Sequence, residues 1–146
     1  MPKSRTILLP TDGSPTAEAA ARIAEDIARA EGGRVLVLGV ALRAFVGSAE
    51  VYDLTDAVVE TVRESVEQEA ARIRQAGVDS EPLVVVAEST HDGILRVASE
   101  RGVQMIVMGT HGRSALGRAV LGSAADRVLR HTEVPLVLVP LVGEGL

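Results

Sequence analysis

Cysteine is absent from the 146-residue chain, which excludes disulfides, thiol catalysis and thiolate metal sites. Tryptophan is absent too, and Phe45 and Tyr52 are the only aromatic residues, so the core must be aliphatic. Lysine is nearly missing: Lys3 stands alone, and all other positive side chains are arginines. The formal net charge of -5 argues against a chain built mainly to hold nucleic acid through its phosphates. No membrane span is expected, because the longest apolar stretch, 134–142, is about half the needed length and carries Pro135 and Pro140. Residues 1–5 lead straight into a short apolar run and a turn, leaving no room for the apolar region of a signal peptide. A soluble cytoplasmic protein is the expectation.

What the chain does have is aliphatic bulk, with 47% hydrophobic residues, enough for a full core in one domain spanning 1–146. Short apolar strands alternate with amphipathic helices. Strands are expected over 6–10, 34–42, 81–87, 103–108 and 135–139. Ser14-Pro15 opens a first helix, Ser14 accepting from first-turn N–H groups and Pro15 pre-set in φ. Ile23, Ile27, Ala20, Ala24 and Ala28 give that helix one apolar face, closed at Gly32-Gly33. A looser segment over 43–54 precedes a long helix over 55–75; shorter helices follow over 90–101 and 123–130. Nearly continuous aliphatic strands are covered on both faces, as in parallel sheets. Their alternation with helices predicts an α/β fold, a single doubly wound five-stranded sheet with helices on both faces.

In such a sheet, ligands sit beyond the carboxyl ends of the strands, where strand order reverses. Two strand ends stand out: 10–14, Pro-Thr-Asp-Gly-Ser, and the glycine-rich stretch 109–123. The latter places Gly109, Gly112, Gly117 and Gly122 close together, so the backbone can approach a ligand and aim N–H groups at it. It then enters a helix at Ser123, whose amino end favours anions. Arg113, Arg118 and His111 add local positive charge. This reads as a phosphate cradle; the alternative is a chain-turning loop with Ser123 and Asp126 as an ordinary capping box. The spacing of Gly112, Gly117, Arg118 and Ala119 lacks the lysine and hydroxyl of a P-loop.

Gly109-x2-Gly112-x9-Gly122-Ser123 matches without a gap the G-2x-G-9x-G-(S/T) signature of the ATP-binding universal stress proteins. Residues 7–14 resemble that family's first strand and turn, and 128–139 its last helix and strand. The resemblance implies strand order 3-2-1-4-5, which sets the two loops side by side. It implies that Asp12, flanked by Pro10 and Thr11, contacts the ribose and that Val40 meets the adenine through its backbone. It places Gly109 near the ribose, with Gly112, Arg113, Gly122, Ser123 and Ala124 around the phosphates of ATP; Mg²⁺ is the metal expected with a triphosphate. It also implies a homodimer through the last strand, near residues 136–141, where an aliphatic edge needs covering. Related sequences carry a Gly-x-Pro-like turn after strand three, where this chain has Glu88-Ser-Thr-His-Asp-Gly93.

Other residues attract plainer readings. Ser89, His91 and Asp92 are near neighbours opening a helix and are expected to cap it rather than form a catalytic triad. His111 is read as a ligand-facing loop histidine without a catalytic role, since the groups that phosphoryl transfer needs do not assemble around it. Phe45 and Tyr52 either cover an adenine or anchor their loop. Met105 and Met108 are core, and the charges over 63–74 form a solvated helix face. Asp126, near the expected phosphates, would repel them unless a cation intervenes. The function expected is regulatory ATP binding in a stress response. A slow ATPase and a dimeric scaffold without nucleotide are the alternatives.

Overall fold

The computed structural model describes residues 5–111 and 121–140. Among these residues, seven strands and four helices run in the order β1 (Thr6–Pro10), α1 (Pro15–Glu31), β2 (Arg34–Leu42), β3 (Phe45–Val46), β4 (Ala49–Glu50), α2 (Tyr52–Gln75), β5 (Asp79–Ala87), α3 (Thr90–Glu100), β6 (Met105–Gly109), α4 (Ser123–His131) and β7 (Leu136–Val139). Five of the strands form one parallel sheet in the order β5-β2-β1-β6-β7. With the small β3–β4 pair set aside, this is the expected 3-2-1-4-5 order.

The alternation of side chains along each strand divides the core in two. Ile7, Leu9, Val35, Val37, Val107 and Val139 pack under α1 and α2. Leu8, Leu36, Leu38, Ile106 and Met108 pack under α3 and α4. Against the first face, α1 presents alanines: Ala17, Ala20, Ala21, Ala24 and Ala28 are all buried. Ile23, expected on that face, is instead 37% exposed. Small residues let the helix axis approach the sheet closely, which leaves the larger isoleucine at the margin. Helix α2 comes equally close over β2, where a Cβ on Gly39 would run into Val62 and Val66.

The segment expected to be loose is ordered as a β3–β4 hairpin, and α2 begins at Tyr52 rather than Thr55. Thr55 does not cap the helix. It is buried inside the first turn, where its hydroxyl donates to the Val51 carbonyl and accepts from the Ala44 N–H. A second tie, from the Val51 N–H to the Ala44 carbonyl at 2.8 Å, closes the base of the hairpin on that turn. Strand β5 starts at Asp79 because the whole of β2 finds a register partner there, from Arg34↔Asp79 to Leu42↔Ala87. Among the described residues, no helix is long and apolar enough to cross a membrane.

Candidate functional site

The reversal of strand order lies between β1 and β6: the chain leaves β1 towards β2 on one side and returns to β6 on the other. Beyond their carboxyl ends lies a cavity of about 550 Å³, a usual size for a small-molecule site. Its walls come from several elements, Ala17 of α1 among them. The turn after β1 gives Pro10, Thr11, Asp12 and Ser14; β2 gives Leu38 and Val40; α3 gives Thr90 and Ile94. Met108, Gly109, Thr110 and His111 from the end of β6, with 121–126 at the start of α4, complete it.

Local chemistry fixes the polar rim. The Asp12 carboxylate accepts the Ser14 N–H at 2.9 Å, and the Thr11 hydroxyl accepts that of Gly13 at 3.2 Å. Gly13, at φ 77°, turns the chain between them in a conformation open to glycine at little cost. Ser14 then caps α1 as expected, its Oγ accepting from the Ala17 N–H at 3.3 Å. One turn further in, the buried Thr16 hydroxyl donates to the His111 carbonyl. The Thr110 hydroxyl lies 2.9 Å from His111 Nδ1. The Gly122 N–H donates to the Thr110 carbonyl at 2.8 Å, which seats the start of α4 against the end of β6.

Of the site residues expected from sequence, Pro10, Thr11, Asp12, Val40, Gly109, Gly122, Ser123 and Ala124 all border this cavity. Gly112 and Arg113 lie outside the described residues, as does Leu141 of the expected dimer strand. Two local expectations change. Ser123 is the first helical residue, not the cap; Gly122 occupies the cap position and makes no side-chain cap bond. The capping box therefore does not form, because Asp126 reaches forward instead. Both its carboxylate oxygens accept from Arg130 Nε, at 3.2 and 3.1 Å, so an arginine already answers the charge near the expected phosphates.

Glycine at 109 and 122 has a steric reason that precedes any ligand. A Cβ on Gly109 would lie 2.5 Å from Thr16 Oγ1, and one on Gly122 would lie 2.9 Å from the Thr110 carbonyl oxygen. Thr90, Ile94, Leu38 and Met108 were not singled out as lining residues. Met108 is core, and it also floors the cavity. The available signal for Thr90 and Ile94 was Gly93: its missing side chain lets the start of α3 press on Val40, whose Cγ1 would be 2.8 Å from a Cβ there. Ser89 does cap α3, accepting the Asp92 N–H at 3.3 Å. Phe45 and Tyr52 are absent from the cavity wall and stand exposed, at 48% and 72%.

The model of the universal stress protein family matches residues 3–140. The chain belongs to that family. A universal stress protein of Thermus aquaticus is 32% identical over 92% of this chain and 98% of its own length. A solved family member from Burkholderia pseudomallei is 31% identical, with a TM-score of 0.78 over 95% of this chain and 99% of that one. The solved Methanocaldococcus jannaschii protein MJ0577 superposes with a TM-score of 0.80 at 26% identity, covering 96% and 98% of the two chains.

Proposed function

We propose that this universal stress protein is a regulatory protein that binds an adenine nucleotide, ATP in the first place, in the cavity above β1 and β6. The observation that carries this reading is the convergence on one cavity wall of eight residues from three separate stretches of sequence, picked out by the glycine-rich spacing and by the family resemblance. The wall suits the parts of the ligand. Leu38, Val40, Ile94 and Met108 offer an apolar slot for a base; Asp12 offers a carboxylate to a ribose diol; α4 offers the N–H groups of its first turn. Among the described residues no three His, Asp or Glu side chains group to hold a metal ion. A Mg²⁺ ion arriving with ATP belongs to the same reading.

Two further solved universal stress proteins support the ligand class. One is in complex with cAMP, at 22% identity and a TM-score of 0.70. The other, from Archaeoglobus fulgidus, is in complex with dAMP, at 24% identity and a TM-score of 0.66. The partner in the same reading is a second copy, paired through β7, an aliphatic edge strand of the sheet. Mass spectrometry of small molecules released from the purified, denatured protein tests the ligand, followed by calorimetric titration with ATP, ADP, AMP and cAMP. An adenine nucleotide in the release and saturable binding are expected. Empty protein with no binding of any of the four would reject the reading.

A further inference from the structure

Helix α3 gives the cavity wall two residues, Thr90 and Ile94. Ile94 continues the apolar slot, whereas Thr90 brings a hydroxyl to it. Thr90, Gly93 and Ile94 are spaced i, i+3, i+4 and so share one face of α3. That face rests on β2, since a Cβ on Gly93 would lie 2.8 Å from Val40 Cγ1. Helical side chains lean towards the amino end of their helix, and the amino end of α3 is the end at the cavity. A threonine within a helix commonly spends its hydroxyl on a carbonyl one turn back, as Thr55 does on Val51 and Thr61 on Ala57. Thr90 opens α3 and has no helical carbonyl behind it. The cap bond to the Asp92 N–H belongs to Ser89, and among the described residues the Thr90 hydroxyl makes no hydrogen bond.

Main-chain groups face the same end of the slot. The Thr11 N–H donates to the Leu38 carbonyl at 2.9 Å, and β1 pairs with β2 no further than Pro10↔Leu38. The main-chain groups of a central strand face its two neighbours in turn, so those of Val40 face the flank that β1 has left. A base in the slot therefore has the Val40 main chain on one side of its polar edge and the Thr90 hydroxyl on another. Resting on the nucleotide function proposed above, we infer that Thr90 is a specificity-determining residue of this site, its hydroxyl accepting a hydrogen bond from the exocyclic amino group of adenine. A hydroxyl rotates and donates as readily as it accepts. Thr90 thus favours purines with a polar substituent at that ring position over a purine with none, while sorting amino from oxo falls to the fixed groups of Val40.

Thr90→Val keeps the shape of the side chain and removes the hydroxyl; Thr90→Ser keeps the hydroxyl. Because that hydroxyl holds no protein partner, both variants are expected to melt with the parent. The full chain and the two variants are titrated calorimetrically with ATP and with the triphosphate of unsubstituted purine riboside, which carries hydrogen in place of the exocyclic amino group. Thr90→Val should lose about three- to tenfold in affinity for ATP, the worth of one neutral hydrogen bond. It should lose nothing for the purine analogue, and Thr90→Ser should bind ATP as the parent does. Parental ATP affinity in Thr90→Val would overturn the inference and leave the nucleotide function standing. An equal loss for both ligands would overturn it too, giving Thr90 a part in the shape of the slot alone, and so would a serine variant as weak as the valine one. A parent chain that binds neither triphosphate would reject the nucleotide function and the inference with it.

Discussion

The Thr16 hydroxyl, in the first turn of α1, donates to the main-chain carbonyl of His111, 95 residues away in sequence. This bond ties the turn after β1 to the loop after β6, the two sides of the cavity. Thr16 does not itself border that cavity. Thr16→Val keeps the shape and removes the donor to the His111 carbonyl. The expected cost is about 1–3 kcal/mol of stability, together with weaker nucleotide binding as the His111 end of the wall shifts. Thr16→Ser should restore both. Melting and calorimetric titration of the two variants check this; unchanged affinity in the valine variant would show that another contact positions the loop.

Gly109 meets the same threonine from the sheet side. Beyond the 2.5 Å approach to Thr16 Oγ1, a Cβ would lie 2.8 Å from the Thr16 main-chain carbon, which cannot rotate away. Gly109→Ala is therefore expected to push the first turn of α1 outward and destabilise by about 1–3 kcal/mol. Chemical denaturation measures it. A neutral alanine would mean that α1 is not seated against β6 as closely as the geometry requires.

The parallel pairing and most strand positions were legible because buried parallel strands are nearly uniform in aliphatic content, and this chain marks each helix with a cap or a glycine; the strand order came from the family resemblance. Ser14, Ser89 and Gly32 all behave as their types suggest. The start of α2 was not legible. Thr55 has the side chain of a cap but spends it inside the turn, holding Ala44, a contact that exists only after the hairpin has folded. The site was legible along the strand ends and less so across them. Asp12 and Gly122 lie in marked turns, whereas Thr90 and Ile94 join the wall only because β5 and β2 are neighbours in the sheet. The cation that Asp126 was expected to need is Arg130, one turn further along the helix, which the sequence pattern did not single out.

Tyr52 stands apart from the proposed nucleotide site. It is 72% exposed and lies off the cavity wall, so Tyr52→Ala should leave nucleotide affinity within about twofold of the parent, the spread expected for a surface change of up to about 0.5 kcal/mol. Isothermal titration decides it. A large loss would return Tyr52 to the role of a cover over the base.

Between α1 and α2, Glu25 accepts from Arg29 at 3.0 Å and from Arg72 at 3.1 Å. Burial by itself pushes the Glu25 carboxyl up, but the hydrogen bonds and charges of the two arginines outweigh it and hold the group below its usual 4.5. A depressed folded value means stability that is present above the unfolded value and lost as pH falls through the folded one. Glu25→Gln should therefore cost about 1 kcal/mol near neutral pH, about 2–4 °C in the melting midpoint. The gap between the two proteins should close as the pH drops below the ordinary carboxylate range. A gap that persisted in acid would assign the loss to packing rather than to the ion pairs.

The Asp126–Arg130 pair makes an electrostatic prediction about the ligand. Asp126 borders the cavity in the first turn of α4, where phosphates are proposed to sit, and Arg130 engages both its oxygens. Arg130→Ala removes that engagement and leaves a carboxylate facing an anion at a partly exposed position. At the effective dielectric of such sites a repulsion of about 0.5–1 kcal/mol is expected, roughly a two- to fivefold loss of affinity. The loss should grow with the number of phosphates, from AMP to ADP to ATP, and shrink as salt is raised. Asp126→Asn in the same background should recover the affinity, because the repelling charge is then gone. If Arg130→Ala weakened AMP and ATP equally, the phosphates would have to lie away from the first turn of α4.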